Sequence, residues 1–327
     1  MRTLHFVPLI LLLLLDHSIN AQEIRWYPFD RDFIANQYSN SAISKLTVKK
    51  FRPANTIHTE SCGGNDAEIH IGIKKNDIDL PSEQMPATGS VGPATKWRIV
   101  AELPNARSGD GKARLKDLED QSATFIGYFR VWDEGHAVGS VAPSNPHHVF
   151  EIHPAWAFNG TGVDFSRVDL VAAMPTYRGF GFGKFGPLLK SLAKFKWPLA
   201  YKTENNLFVG LPFKQSNFYQ LPIEVTHIKS VTGGHEITVN VFSSVNFNNQ
   251  IYTGLQVITA AGSPIDTNLS VGDQKSLLGF FSVNLRKALS AAGDADSPAN
   301  AHAVKEAVEF FAFGISQNGP VNKCSKH

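Results

Sequence analysis

Short stretches in which apolar and polar residues alternate constrain this fold most. The stretch DAEIHIGIK places Glu68 and His70 on the opposite side of an extended chain from three isoleucines. The stretch HHVFEIH repeats the pattern and places Glu151 and His153 opposite Ile152. Two strands with polar side chains on one face are therefore predicted, and that face is expected to point outward.

The spacing of such strands indicates a mainly β fold. About five short strands, separated by long loops rich in proline and glycine, favour an OB-like small barrel over residues 22–160, with a β-sandwich as the alternative. A second, α+β unit is expected at 205–327, with a hairpin turn at Thr232-Gly233-Gly234. Its predicted strands are 207–212, 223–231, 235–243 and 251–260, and its predicted helices are 277–292 and 298–311.

The N-terminus is typical of a signal peptide. Arg2 precedes ten apolar residues, Phe6–Leu15, and small residues end at Ala21, so residues 1–21 are predicted to be removed. Ten residues of helix reach only about 15 Å, too short for a membrane anchor. No later window holds eighteen apolar residues. The mature chain is therefore expected to be exported, secreted or periplasmic, without a stable membrane span.

Charge and cysteine content add two constraints. The net charge of +2 is too small to indicate nucleic acid or membrane partners by itself. Cys62 and Cys324 both survive signal removal, and an even pair in an oxidising compartment indicates one disulfide. Two free thiols are the alternative, because the spacing in sequence does not show whether the two cysteines lie close together in space.

The central segments resemble a group of exported bacterial proteins whose functions are largely uncharacterised. The likeness is carried by Glu68-Ile69-His70, by WRIVAELPNA at 97–106, by FIGYFRVWDEGH at 125–136 and by APSN and EIHPAW between Ala142 and Trp156. It covers about residues 45–160. The resemblance implies export and an OB-like, thermonuclease-like barrel, and it implies little about activity.

The histidines and carboxylates of these segments are the candidate site. Imidazole and carboxylate groups that converge can hold a divalent transition metal, with an open position that activates water. Without metal, a histidine can act as general base beside an orienting glutamate. A hydrogen-bonding network without chemistry is the structural alternative, and His148, on the apolar side, is expected in the core. The metal candidates are Glu68, His70, His136, His147, Glu151 and His153, and the catalytic candidates are His70, His136, His153 and Glu151.

Residues 161–204 are predicted to be a basic linker rich in glycine and aromatic residues. Its part from Arg178 to Lys202 carries six basic and no acidic side chains. A short amphipathic helix at 187–195 with solvated lysines is one interpretation, and a surface that follows a polyanion, with stacking aromatics, is the other. The candidate ligand-binding residues are Lys184, Lys190, Lys194, Lys196 and Trp197.

Three functional classes remain open on this basis. The first is an exported OB-like binding protein whose partner is an anionic polymer or an oligosaccharide. The second is a metal-assisted hydrolase, resembling a phosphodiesterase or nuclease, which uses the His/Glu cluster. The third is an exported protein with a purely structural role. No HExxH, GxSxG, Walker or GxGxxG motif decides among them.

Overall fold

The computed structural model describes residues 24–36, 44–48, 58–59, 69–73, 99–103, 123–133, 149–160, 163–164, 183–184, 197–212, 219–263 and 265–315. The strands are β1 (Ile24–Asp30), β2 (Ser44–Val48), β3 (His58–Thr59), β4 (Ile69–Ile73), β5 (Ile99–Leu103), β6 (Ala123–Val131), β7 (Phe150–Gly160), β8 (Val163–Asp164), β9 (Gly183–Lys184), β10 (Leu199–Lys202), β11 (Asn206–Pro212), β12 (Tyr219–Val231), β13 (Gly234–Phe242), β14 (Gln250–Ala260), β15 (Gln274–Val283), β16 (His302–Ala303) and β17 (Val308–Ile315). The helices are α1 (Arg31–Asn36) and α2 (Leu285–Ala291), with 3-10 turns at Pro298–Asn300 and Lys305–Ala307.

These strands form three sheets. A four-stranded sheet has the order β1-β11-β10-β16, and a six-stranded sheet has the order β13-β14-β17-β15-β12-β9. The third sheet runs β2-β6-β7-β5-β4-β3, with β8 paired to β7. The four-stranded sheet thus joins β1, near the start of the described chain, to strands between residues 199 and 303.

Five strands of the six-stranded sheet close into a barrel, because β12 also pairs with β13. Strand β17 lies between β14, to which it is parallel, and β15, to which it is antiparallel. Alternate residues of β13, such as Ile237, Val239 and Val241, are buried, and the turn before β13 uses Gly233 at φ 87°. The prediction of a mainly β fold with a small barrel is confirmed. The barrel is built from residues 219–315, whereas the sequence placed it at 22–160.

The described strands between residues 44 and 164 follow an open pairing path instead. Every side chain from Tyr128 to Asp133 in and after β6 is buried. On one face, Phe150 of β7 packs edge-on against Phe29 and Phe33 of β1 and α1. On the other face, Tyr128 packs against the rings of Phe280 and Phe311. The part of this sheet formed by Tyr128 of β6 and Phe150 of β7 is therefore covered on both faces by other elements.

The two helix predictions in the C-terminal part are largely wrong. Residues 277–283 of the first predicted helix belong to β15, and only Leu285–Ala291 of it is helical. Most of the second is replaced by two 3-10 turns and β17. Side chains of β15 from Leu277 to Val283 are buried on both faces, so the strand has a continuous apolar run in place of period-two alternation. Helix α2 begins where the Asn284 side chain accepts a hydrogen bond from Lys287 N.

The end of β15 connects the barrel to the open sheet. Strand β12 pairs with β15 only as far as Gly279. Beyond that point, the Phe281 carbonyl accepts a hydrogen bond from Arg130 Nε at 3.0 Å, and the Ser282 hydroxyl accepts one from Val131 N at 3.0 Å. Strand β6 thus forms hydrogen bonds to β15 beyond the last pair of β15 with β12, on residues that also pair with β17.

Candidate functional site

The two predicted Glu-x-His strands lie in one sheet, as β4 and β7, with β5 between them. The register places His58 opposite His70, and His70 opposite Glu102. Strand β5 also pairs with β7 at Ala101 and Ile152. The backbone positions of His58, His70 and Glu102 therefore lie opposite one another on three adjacent strands.

Glu151 and His153 do not point outward, so that expectation is wrong. Their side chains are only 6% and 1% exposed. Arg130 Nη1 lies 2.8 Å from Glu151 Oε1 and 3.4 Å from His153 Nδ1, and that nitrogen is 3.2 Å from the same Glu151 oxygen. The face is covered because Phe280 of β15 packs on it, 4.7 Å from the His153 ring and 4.6 Å from the Arg130 guanidinium.

Arg130 is the cation of this cluster. The Glu151 carboxylate neutralises its positive charge inside the core, and the aromatic face of Phe280 adds a cation–π contact. In the described part of the chain, no three His, Cys, Asp or Glu side chains are placed to hold a metal ion. The described part of the cluster therefore has the arrangement of an internal ion pair that fixes β6 to β7. Glu68, His136, His147 and His148 lie outside the described residues.

The structure covers little of the basic segment. Lys184 is in β9, next to Gln220 of β12, while Lys190, Lys194 and Lys196 lie outside the described residues. Trp197 is 6% exposed, and its ring lies 5.2 Å from the Tyr252 ring and 5.8 Å from Lys305 Nζ. Cys62, Cys324 and residues 1–21 also fall outside the described residues.

A second buried carboxylate lies where the open sheet meets the barrel. Glu309 of β17 accepts hydrogen bonds from the Tyr128 hydroxyl and, at 3.3 Å, from Asn284 Nδ2. Lys287 Nζ is 3.8 Å away. Burial raises the pKa of Glu309, and the negative charge of Glu236 raises it further, while Lys287 and the two hydrogen bonds act in the opposite direction.

Lys287 also lines an open groove of about 950 Å³ between the β12–β13 hairpin and α2. Three of its side chains are cationic, one is a carboxylate and three carry hydroxyls. We refer to it as the hairpin groove. It is lined by Lys229, Ser230, Val231, Thr232, Glu236, Arg286, Lys287 and Ser290.

Each cation of the hairpin groove is held differently. Lys229, with a side chain 64% exposed, lies 3.3 Å from Glu236 Oε2. Arg286 donates through Nε to the Ile34 carbonyl at 3.1 Å and through Nη2 to the Ala35 carbonyl at 3.0 Å, so α1 fixes its direction. Lys287 reaches down to Glu309. The groove keeps an excess of positive charge over its single lining carboxylate, and such a concave surface attracts anions.

Sequence reasoning missed these residues because the groove joins parts of the chain that are far apart. The hairpin was predicted, but Arg286 and Lys287 were assigned to the middle of a longer helix, with no indication of a partner. A usable signal existed in Lys229 and Glu236, since opposite charges at equal distances from a Gly-containing hairpin turn pair across the two strands.

Neither a comparison with protein-family models nor one with curated proteins finds a match for this chain. Within the described ranges, the two helices lack the length and apolar character that crossing a membrane would require.

Proposed function

We propose that this chain is an exported binding protein whose ligand carries negative charge and is held in the hairpin groove. The observation that carries the proposal is the composition of the groove, in which three cations face one carboxylate in an open cavity. The volume, about 950 Å³, is at the upper end of the range usual for small-ligand sites, roughly 300–1,000 Å³. A segment of an oligosaccharide that bears carboxylate, phosphate or sulfate groups suits such a site.

The chemistry of the lining supports this ligand class. Arg286 is held rigid by two backbone carbonyls, so little side-chain entropy is lost when its remaining donors meet an anion. Ser230, Thr232 and Ser290 add hydroxyls that can donate to or accept from sugar hydroxyl groups. The cationic side chains of the groove attract the ligand, and its serine and threonine hydroxyls discriminate among ligands.

Titration calorimetry with sulfated, phosphorylated and carboxylated oligosaccharides, each beside its neutral counterpart, tests the proposal. Lys229→Gln should weaken binding of the anionic member about tenfold, the size of one charge-assisted hydrogen bond, and affinity should fall as salt rises. Lys275→Gln, a lysine of β15 outside the groove lining, is the matched control and should leave the affinity unchanged. An affinity that does not change with salt concentration, or that is equal for the neutral and the anionic oligosaccharides, contradicts the proposal.

A metal-assisted hydrolase is a second candidate, favoured by one observation. The register places the backbone positions of His58, His70 and Glu102 opposite one another on β3, β4 and β5. Elemental analysis of the purified protein should then show about one zinc, manganese or iron per chain, lost in His70→Ala and kept in His227→Ala, a change on the exposed face of β12. Metal-free protein from a metal-supplemented culture contradicts this candidate.

A further inference from the structure

Lys287 contacts both the hairpin groove and a carboxylate in the core. Its side chain is 33% exposed and forms part of the groove lining. The same ammonium lies 3.8 Å from Glu309 Oε2, and the side chain of Glu309 is only 3% exposed. Lys287 therefore lies at the boundary between an accessible surface and a buried negative charge, and it can be approached by an anion from the groove side.

An anion that Lys287 binds in the groove would lie close to Glu309. A charge-assisted contact between an ammonium and an anion oxygen spans about 2.8 Å. Because Lys287 Nζ is 3.8 Å from Glu309 Oε2, the oxygen of such an anion would lie within about 7 Å of the carboxylate. Like charges at that separation repel each other, and burial of one of them weakens the screening by solvent. The anion and the Glu309 carboxylate thus compete for one ammonium.

The other groups that act on Glu309 allow it to become neutral. Burial raises the pKa of Glu309 most, the negative charge of Glu236 in β13 raises it further, and Lys287 lowers it. The Tyr128 hydroxyl of β6 and the Asn284 amide, both neutral, donate to the carboxylate. A tyrosine hydroxyl can accept a hydrogen bond as well as donate one, so a protonated Glu309 keeps Tyr128 as a partner.

We propose that binding of an anion in the hairpin groove is coupled to the uptake of one proton by Glu309, so that the protein holds its ligand more tightly in acid than in mildly alkaline solution. This inference rests on the proposed function, because it concerns the regulation of the same site. The proton comes from solvent and neutralises Glu309, which leaves the charge of Lys287 to the anion. The coupling is reciprocal, so the proton favours the anion as much as the anion favours the proton.

The direction of the pH dependence follows from the burial of Glu309. In the free protein its pKa lies above the ordinary value of 4.5, and a bound anion raises that pKa further. The affinity is therefore highest below the pKa of the free protein and falls as the pH rises through the interval between the two pKa values. Above that interval it is constant. Uptake of one proton changes the affinity by at most about tenfold per pH unit.

Titration calorimetry of the whole chain with a sulfated oligosaccharide tests the coupling, because a sulfate ester keeps its charge at every pH used. The affinity should fall about fivefold or more between pH values of about 4.5 and 8. In buffers of different ionisation enthalpy, the binding enthalpy should show proton uptake at intermediate pH. Glu309→Gln should bind without proton uptake and with little pH dependence. Lys229→Gln should bind more weakly and keep the proton uptake.

A histidine variant is the matched control, since histidine is the side chain that ordinarily changes charge in this pH range. His227 is exposed on β12 and lies outside the groove lining. His227→Gln should therefore keep both the affinity and the proton uptake of the parent. Loss of the proton uptake in this variant would overturn the assignment of the proton to Glu309.

The results separate this inference from the proposed function. No binding of the sulfated probe at any pH overturns both. Binding without proton uptake, or a pH dependence that persists in Glu309→Gln, overturns the coupling and leaves the binding function intact. Lys287→Gln should bind more weakly and lose the proton uptake, and an uptake that persists there overturns the shared role of this lysine. Proton uptake by the parent chain tests the coupling even where a variant fails to fold.

Discussion

Glu309 shows how one buried side chain links stability to pH. Its carboxyl group is 2% exposed, between the Tyr128 hydroxyl from β6 and the Asn284 amide that caps α2. Burial is the largest cause of its raised pKa, and the Glu236 charge adds to it, although Lys287 partly compensates. The folded state therefore keeps a proton at pH values where the unfolded chain, with a carboxyl near 4.5, has lost it. This stabilisation is fully present below pH 4.5 and is lost as the pH rises through the raised pKa.

Glu309→Gln removes this titration, because glutamine is neutral at every pH. The free energy of unfolding of the variant relative to the parent should increase as the pH rises from 4.5 toward 8. Urea unfolding followed by circular dichroism at several pH values measures it. Glu204→Gln, in the exposed turn between β10 and β11, is the control. A difference that stays constant with pH, or that grows toward acid pH, contradicts the assignment.

Among the elements, strands β15 and β17 approach each other closely at Gly279. A Cβ on Gly279 would lie 2.0 Å from the Phe311 carbonyl oxygen and 2.7 Å from the Phe310 ring. The register of the pair shifts between Leu278 and Gly279, so this is also where the strands depart from regular pairing. Any side chain larger than hydrogen forces the two strands apart.

Gly279→Ala should therefore destabilise the protein by about 3 kcal/mol, the upper end of the usual cost of overpacking. Gly254→Ala is the comparison, because that glycine has φ +78° and no atom within 4 Å of its Cβ position. Its cost should be only about 1–2 kcal/mol, from the left-handed backbone alone. Urea unfolding of both variants measures the difference. Equal losses would show that backbone conformation, and not the contact with β17, governs Gly279.

The elements also show where sequence reasoning succeeds. Strands β4 and β12–β14 were predicted with nearly the observed bounds, because alternation and the Gly-containing turn are local signals. Most of β15 and half of β17 were predicted as helices. Both faces of these strands are buried, so their continuous apolar runs lack the period-two alternation that identifies a strand. The alternation of Glu151 and His153 was correct, but their burial was not foreseen, because the β15 residue that covers them is more than 120 positions away.

Across the whole molecule, the barrel and the open sheet share one core. Arg130 binds a barrel carbonyl, Tyr128 binds Glu309, and the Trp132 ring lies 5.8 Å from that of Phe281. The four-stranded sheet is joined in as well, because the Tyr27 hydroxyl of β1 donates to Asp133. A mainly β fold was predictable from composition and period. The position of the barrel was not, because closure depends on pairing between strands that are distant in sequence.

A shared core predicts one unfolding transition. Differential scanning calorimetry should give a single peak whose calorimetric and van't Hoff enthalpies agree. Glu151→Gln, which leaves the Arg130 guanidinium without its carboxylate, should lower the stability of the whole molecule by about 3–5 kcal/mol and keep one peak. The same change at Glu236, in the exposed pair with Lys229, should cost less than about 1 kcal/mol. Two separate peaks would show that the sheets fold independently.

The position of β17 between β14 and β15 has a consequence for how the chain matures. Because synthesis proceeds from the N-terminus, β14 and β15 are complete while the strand that joins them has not yet been made. The edges of β14 and β15 that face β17 stay unpaired until residues 308–315 emerge, and unpaired strand edges favour association with other chains. Barrel closure must therefore follow translation of residues 308–315. Pairings between such distant segments also slow folding.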